Sequence, residues 1–171
     1  STQVAQGQSF DKTTLEKIRE YGAIYVGHRE TSMPFSYFVG NEVTGYSMEL
    51  CDRIVDAVKT ELGNPDLKVV LVPVTSSSRI ILLRTGVIDL ECGSTTNTKI
   101  RQQGVAFGVT TFVSGVKAVT RKDAGIERIA DLNGKVVVTV GGTTTGRLVQ
   151  TVLAKRNASV LGKSAADYAE S

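Results

Sequence analysis

Between Ala23 and Arg101, short apolar runs alternate with segments of helical length, and few folds accommodate that order. Residues 23–27, 68–74 and 87–92 read as strands, the second of them as a buried-type strand. Residues 47–62 read as the clearest helix: Leu50, Cys51, Ile54, Val55, Val58 and Leu62 form one apolar stripe, with Glu49, Asp52, Arg53, Asp56 and Lys59 elsewhere. Gly63-Asn64-Pro65 ends it. Residues 79–84 read as a second, shorter helix that stops at Gly86. Connections of helix length imply parallel strand pairing, hence an α/β sheet. In such sheets the strands' C-terminal ends share one edge, where ligands sit. Ahead of this region, residues 12–21 read as a helix stopped by Gly22; residues 34–38 and 42–44 read as a hairpin turned at Gly40-Asn41.

Each strand is followed by polar chemistry. After Gly93 comes Ser94-Thr95-Thr96-Asn97-Thr98, a run of hydrogen-bonding side chains, and then Lys99-Ile100-Arg101 opens a short helix. A helix cap accounts for Ser94 or Thr98 taken singly. The whole run with Arg101 is more than a cap needs, and suits a carboxylate gripped by two parallel hydrogen bonds. Arg79 stands in the first turn of its helix, after Thr75-Ser76-Ser77-Ser78. A cation there opposes the helix dipole at a cost of roughly 0.3–1 kcal/mol, which a bound anion would reverse. Arg29 follows the first strand; alone it reads as a solvated loop residue, and with Arg79 and Arg101 at the same edge as part of a carboxylate site.

Further along, residues 105–119 read as one or two extended strands, 126–132 as a short helix, and 134–140 as a strand. Gly141-Gly142-Thr143-Thr144-Thr145-Gly146-Arg147 then leads into a helix over 147–155. The loop invites a phosphate reading. It lacks the Gly-Lys-Ser/Thr of a P-loop, and an ordinary glycine turn with a threonine cap is an equal alternative.

Composition narrows the function classes. The chain has 171 residues, 41% hydrophobic and 22% charged, enough for one globular domain or two small lobes. Its net charge of +3 is spread among acids instead of forming the basic stripe of a nucleic-acid binder. No apolar run approaches the ~18–20 residues that span a membrane. Residues 1–11 are polar and are expected to be loose. Cys51 falls on the inner face of a helix and Cys92 on a core strand; free buried thiols are the preferred reading, with one disulfide as the alternative. His28 is the sole histidine and reads as structural. Neither it nor the cysteines stand at metal-ligand spacing, and the sequence calls for no metal and no cofactor.

The run Asp89-Leu90-Glu91-Cys92-Gly93-Ser94-Thr95-Thr96-Asn97 with Arg101 closely resembles the periplasmic glutamate/aspartate-binding proteins of ABC transporters, in solute-binding protein family 3. Val26-Gly27-His28-Arg29-Glu30, Pro34-Phe35-Ser36-Tyr37, Gly45-Tyr46-Ser47 and Asp131-Leu132-Asn133-Gly134-Lys135 look like that family's landmarks, in its order. The resemblance implies a type II periplasmic-binding fold of two lobes that close on ligand about a hinge. It implies a first lobe over residues 1–110, a hinge over 111–120 and a partial second lobe over 121–171. It implies capture of L-glutamate or L-aspartate, without chemistry, for an ABC importer's permease subunits, and an exported protein whose signal peptide has been removed.

By the same resemblance, Arg101 takes the α-carboxylate with Thr143 or Thr144, while Arg29 and Arg79 take the side-chain carboxylate. Ser76, Ser94 and Thr96 add hydrogen bonds, Ser94 to the α-amino group. Some relatives carry a histidine near the position of Tyr168, which cannot supply that charge. Relatives are longer, so the chain reads as C-terminally truncated. By itself it is expected to bind weakly or not at all and to self-associate through unpaired sheet edges. Two rivals share the fold: a cyclohexadienyl-dehydratase-like enzyme, with Glu30 or Glu91 as its acid or base, and a receptor's sensor domain.

Overall fold

The computed structural model describes residues 12–154, 156 and 158–163. Residues 1–11, Lys155 at the expected helix end, and Tyr168 lie outside the described residues. The chain divides into two compact units. The first is built from the chain up to Pro73 and from Thr85–Ser94; the second from Val74–Arg84 and from Thr95 onward.

The first unit opens with α1, Thr14–Tyr21. The Glu16 N–H donates to Thr13 Oγ1, and the Thr13 N–H donates back to Glu16 Oε2 at 2.7 Å, a reciprocal cap. Those bonds hold the Glu16 carboxyl below the usual carboxylate range. Gly22 ends the helix in the left-handed region, and Ile18, 1% exposed, is its anchor in the core. Then comes β1, Ala23–His28, which is buried along most of its length because it is the sheet's centre. On one side it pairs in parallel with β5, Lys68–Pro73, from Ala23↔Lys68 to His28↔Pro73. On the other it pairs in parallel with β6, Leu90–Cys92, from Val26↔Leu90 to His28↔Cys92. His28, Pro73 and Cys92 are level, so the chain leaves all three strands at one edge, as the sequence pattern predicts.

Between β1 and β5 lie the antiparallel strands β2, Thr31–Ser32, β3, Ser36–Val39, and β4, Glu42–Thr44, and then α2, Tyr46–Leu62. Gly45 joins β4 to α2 at φ 125°, where a Cβ would stand 2.5 Å from the Phe35 carbonyl oxygen. Only glycine permits that approach. The core gathers Ile18, Ile24, Val26, Met48, Cys51, Val55, Leu67 and Cys92, with Val43, Val58, Leu62 and Leu90 packed on it. The helical stripe is turned slightly from the expected one: Met48 is buried and Ile54 is 46% exposed.

Three further expectations change in this unit. β5 is an edge strand, not a buried one, and Val69 and Leu71 are 40% and 46% exposed, since α2 covers them only in part. The strand expected over 87–92 pairs only at Leu90–Cys92. The thiols are not free: Cys51 and Cys92 form a disulfide, because the buried face of α2 lies over the end of β6 with the two Cα atoms 6.2 Å apart.

A partly buried ion pair ties α1 to the sheet. The Lys17 ammonium donates to Asp89 Oδ1 at 2.8 Å and to the Gly86 carbonyl, while the Tyr25 N–H donates to Asp89 Oδ2 at 2.9 Å. The Asp89 side chain is 2% exposed. Removing it strands a charged amine and a backbone donor together, so Asp89→Ala is expected to cost about 3 kcal/mol of stability. Urea unfolding of the two proteins checks this; equal midpoints would rule the clamp out.

The second unit contains α3, Arg79–Arg84, α4, Lys99–Gln102, 3-10 turns at Lys122–Ala124 and Ile129–Leu132, β7, Val136–Val140, α5, Thr144–Leu153, and β8, Ser159–Lys163. β7 and β8 pair in parallel through α5, with Thr139 and Leu153 buried. The β-α-β unit adds β8, which the sequence reading did not anticipate, beside the strand expected over 134–140. The helix expected over 126–132 is a 3-10 turn starting at Ile129. Residues 105–119 are in no assigned strand, and Val109, Val113 and Val119 are 89%, 86% and 97% exposed. β-branched residues favour an extended backbone, yet a strand also needs a neighbouring ladder.

Candidate ligand-binding site

In the first unit the sheet edge presents Arg29 and Ser94. The Arg29 N–H donates to Ser36 Oγ at 2.9 Å, and that hydroxyl donates back to the Arg29 carbonyl at 3.0 Å. Its Nε donates to Ser32 Oγ at 3.2 Å. The loop after β1 is thereby pinned to the β2–β3 hairpin, and Arg29 is 5% exposed. Burial lowers the guanidinium's pKa from its ordinary value, while the carboxylates of Glu91 and Glu30 act against that shift. The Glu91 carboxylate thus favours the charged form of Arg29. His28 is buried, packs edge-on against Phe38 with ring centres 5.7 Å apart, and has Nδ1 3.3 Å from the Arg29 carbonyl. That is a structural histidine. Ser47 Oγ donates to the Gly93 carbonyl at 2.8 Å and fixes the loop that carries Ser94 to the start of α2.

In the second unit, six of the residues singled out from the sequence occur: Ser76, Arg79, Thr96, Arg101, Thr143 and Thr144. Thr98 caps α4, accepting from the Arg101 N–H at 3.3 Å, and so sets where the Arg101 side chain starts. The guanidinium then donates through Nη1 to the Thr96 carbonyl at 2.9 Å and through Nη2 to the Gly142 carbonyl at 3.3 Å. Thr144 Oγ1 donates to Thr96 Oγ1 at 3.4 Å. Two loops distant in sequence, 95–98 and 141–144, are thus joined around Arg101.

The glycine loop contributes more than a turn. Gly142 has φ 74°, and a Cβ on it would stand 2.6 Å from Ser77 Oγ, 2.7 Å from Ser77 N and 2.8 Å from the Ser76 carbonyl carbon. Its lack of a side chain lets the loop pack directly on the Ser76–Ser77 backbone. Thr143 turns its hydroxyl back to the Val140 carbonyl at 2.7 Å, so of the pair it is Thr144 that reaches Thr96. Upstream of α3, Thr75 and Ser78 bond reciprocally: the Thr75 N–H donates to Ser78 Oγ at 2.9 Å and the Ser78 N–H to Thr75 Oγ1 at 3.0 Å. Arg79 begins α3 and is 2% exposed, so it is no solvated surface arginine. Thr95, part of the polar run but not singled out within it, has a buried Oγ1 with no hydrogen-bond partner among the described residues.

The fold and these loops define a class: the α/β fold is that of the type II periplasmic amino-acid-binding proteins. In structure the chain is similar to the crystallised ancestral amino acid-binding protein AncCDT-1, a precursor of cyclohexadienyl dehydratase. The TM-score is 0.72 and the identity 28%, over 92% of this chain and 68% of that one. The chain belongs to the bacterial extracellular solute-binding proteins, family 3, which match it over residues 24–168. It is 45% identical over 160 residues to the glutamate/aspartate import solute-binding protein of Salmonella typhimurium, covering 93% of this chain and 53% of that protein. To the L-glutamate/L-aspartate-binding protein of Pseudomonas aeruginosa it is 46% identical over 161 residues, covering 92% and 53%. The chain thus spans about half the length of the curated relatives it matches. Those relatives are named as an import solute-binding protein and an amino-acid-binding protein.

Proposed function

We propose that these residues belong to a periplasmic protein that captures L-glutamate or L-aspartate and delivers it to the permease subunits of an ABC importer. The observation that carries this reading is the assembly around Arg101: a guanidinium fork, the Thr96 and Thr144 hydroxyls, and the Gly142 backbone held together in one unit. A planar fork flanked by hydroxyls has the donor geometry of a carboxylate site. In this reading Arg101, Thr96 and Thr144 take the α-carboxylate and the buried Arg79, with Ser76, takes the second acidic group. The roles of Arg29 with the second carboxylate and of Ser94 with the α-amino group rest on the family resemblance, as do the lobe limits 1–110, 111–120 and 121–171. Export, which the resemblance also implies, agrees with the Cys51–Cys92 disulfide, since such bonds persist in oxidising compartments.

The test is calorimetric titration of the whole protein with glutamate, aspartate, glutamine, asparagine and arginine. Glutamate or aspartate is expected to bind at least about tenfold tighter than its amide, a difference of ~1.4 kcal/mol. Equal binding of acid and amide, or preference for arginine, would overturn the assignment.

A further inference from the structure

The carboxylates of Glu91 and Glu30 act on the buried Arg29, and the solute-binding reading gives neither a task. The contacts of Arg29 show what they supply. Its backbone N–H and carbonyl are both fixed by the Ser36 hydroxyl, and its Nε donates to Ser32 Oγ at 3.2 Å. The β2–β3 hairpin therefore sets the direction of the side chain without help from a carboxylate. It supplies no charge, because serine hydroxyls are neutral, and a guanidinium on a residue only 5% exposed calls for an anion beside it.

Glu91 is placed to be that anion. β1 and β6 run in parallel with His28 opposite Cys92, so Arg29 and Gly93 leave the two strands together. Both long side chains pass where Gly93 carries none: a Cβ there would stand 2.5 Å from Glu91 Oε1 and 2.7 Å from Arg29 Cγ. Glu91 Oε1 is shielded from solvent, so its charge is little screened, whereas Glu30 is exposed. Burial works against the charged guanidinium, and Glu91, ahead of Glu30, works for it.

We propose that Glu91 is a specificity-determining residue, a resident counter-ion that offsets Arg29 and so holds down the affinity for an anionic ligand side chain. The proposal rests on the dicarboxylate reading above, in which Arg29 faces the ligand's second carboxylate. That carboxylate meets a guanidinium already offset within the protein, so discrimination of acid from amide falls mainly to Arg79.

Glu91→Gln keeps the shape and removes the charge. Calorimetry of the whole protein is expected to show its glutamate-to-glutamine affinity ratio raised by roughly tenfold, with glutamate gaining and glutamine changing much less. Without ligand the variant is expected to unfold at lower urea than the unaltered protein, and saturating glutamate, but not glutamine, is expected to close that gap. Glu91→Asp keeps the charge and is expected to raise the ratio much less. Glu30→Gln changes an exposed side chain, which spares the fold, and is expected to raise the ratio slightly, since solvent screens the charge it removes. A ratio unchanged or lowered by Glu91→Gln, an equal rise in Glu91→Asp, or a ratio lowered by Glu30→Gln would each overturn the proposal and leave the dicarboxylate reading standing. Equal binding of glutamate and glutamine by the unaltered protein would instead overturn that reading, and this proposal with it.

Discussion

Arg101→Ala is expected to lower affinity for glutamate, aspartate and glutamine together, by some tens- to thousands-fold. Every amino acid carries the α-carboxylate that this guanidinium is proposed to hold. Charge-assisted hydrogen bonds contribute about 1.5–3 kcal/mol each, and each ~1.4 kcal/mol is tenfold. In the structure the same guanidinium donates to the Thr96 and Gly142 carbonyls, so alanine also releases the two loops from each other. Arg101→Lys separates the contributions: it keeps the charge but cannot form a fork, and is expected to fall between wild type and alanine. Arg79→Ala should behave differently. Its loss is expected to weaken the dicarboxylates by a similar factor and glutamine much less, because glutamine brings no second charge to pair.

Loss of the Cys51–Cys92 disulfide is expected to be the largest single loss of stability. The bond closes a loop of sequence separation 41. Loop-closure entropy for that length corresponds to about 4 kcal/mol at 25 °C. The two sulfurs also stand in the core, with Cys51 6% and Cys92 2% exposed, against Val26, Met48 and Val55. Denaturant unfolding with and without reductant, and of the double variant Cys51→Ala with Cys92→Ala, reads the effect. A midpoint unmoved by reductant would contradict it. The bond anchors α2 to the strand that leads into Ser94, so its removal loosens the site loop of the first unit first.

Much of this was legible in the sequence, and particular residues show why. α2 was plain because 17 residues carry an uninterrupted helical stripe and Gly63 stops them in the left-handed region. Arg101 stands out in the sequence because it follows five hydrogen-bonding residues, and its contacts to the Thr96 and Gly142 carbonyls come only with the fold. β8 was not plain: only Val160 and Leu161 are strongly apolar, and Gly162 interrupts the pattern, so the strand exists by pairing with β7 more than by its own preference. The reverse holds for residues 105–119, where propensity is high and no sheet among the described residues takes them up. Thr143 bonds back to the Val140 carbonyl while Thr144 reaches Thr96, a difference that two adjacent threonines in the sequence do not encode. The cysteine pairing depended on a distance between α2 and β6 that a separation of 41 does not encode.

The glutamate-to-glutamine affinity ratio, measured by calorimetry before and after Arg79→Ala, tests the account most directly. The account predicts a ratio well above one for the unaltered protein, collapsing toward one in the variant while glutamine affinity stays nearly fixed. A ratio unchanged by the substitution, with both affinities lowered by the same factor, would contradict it and place Arg79 with the α-carboxylate or the fold.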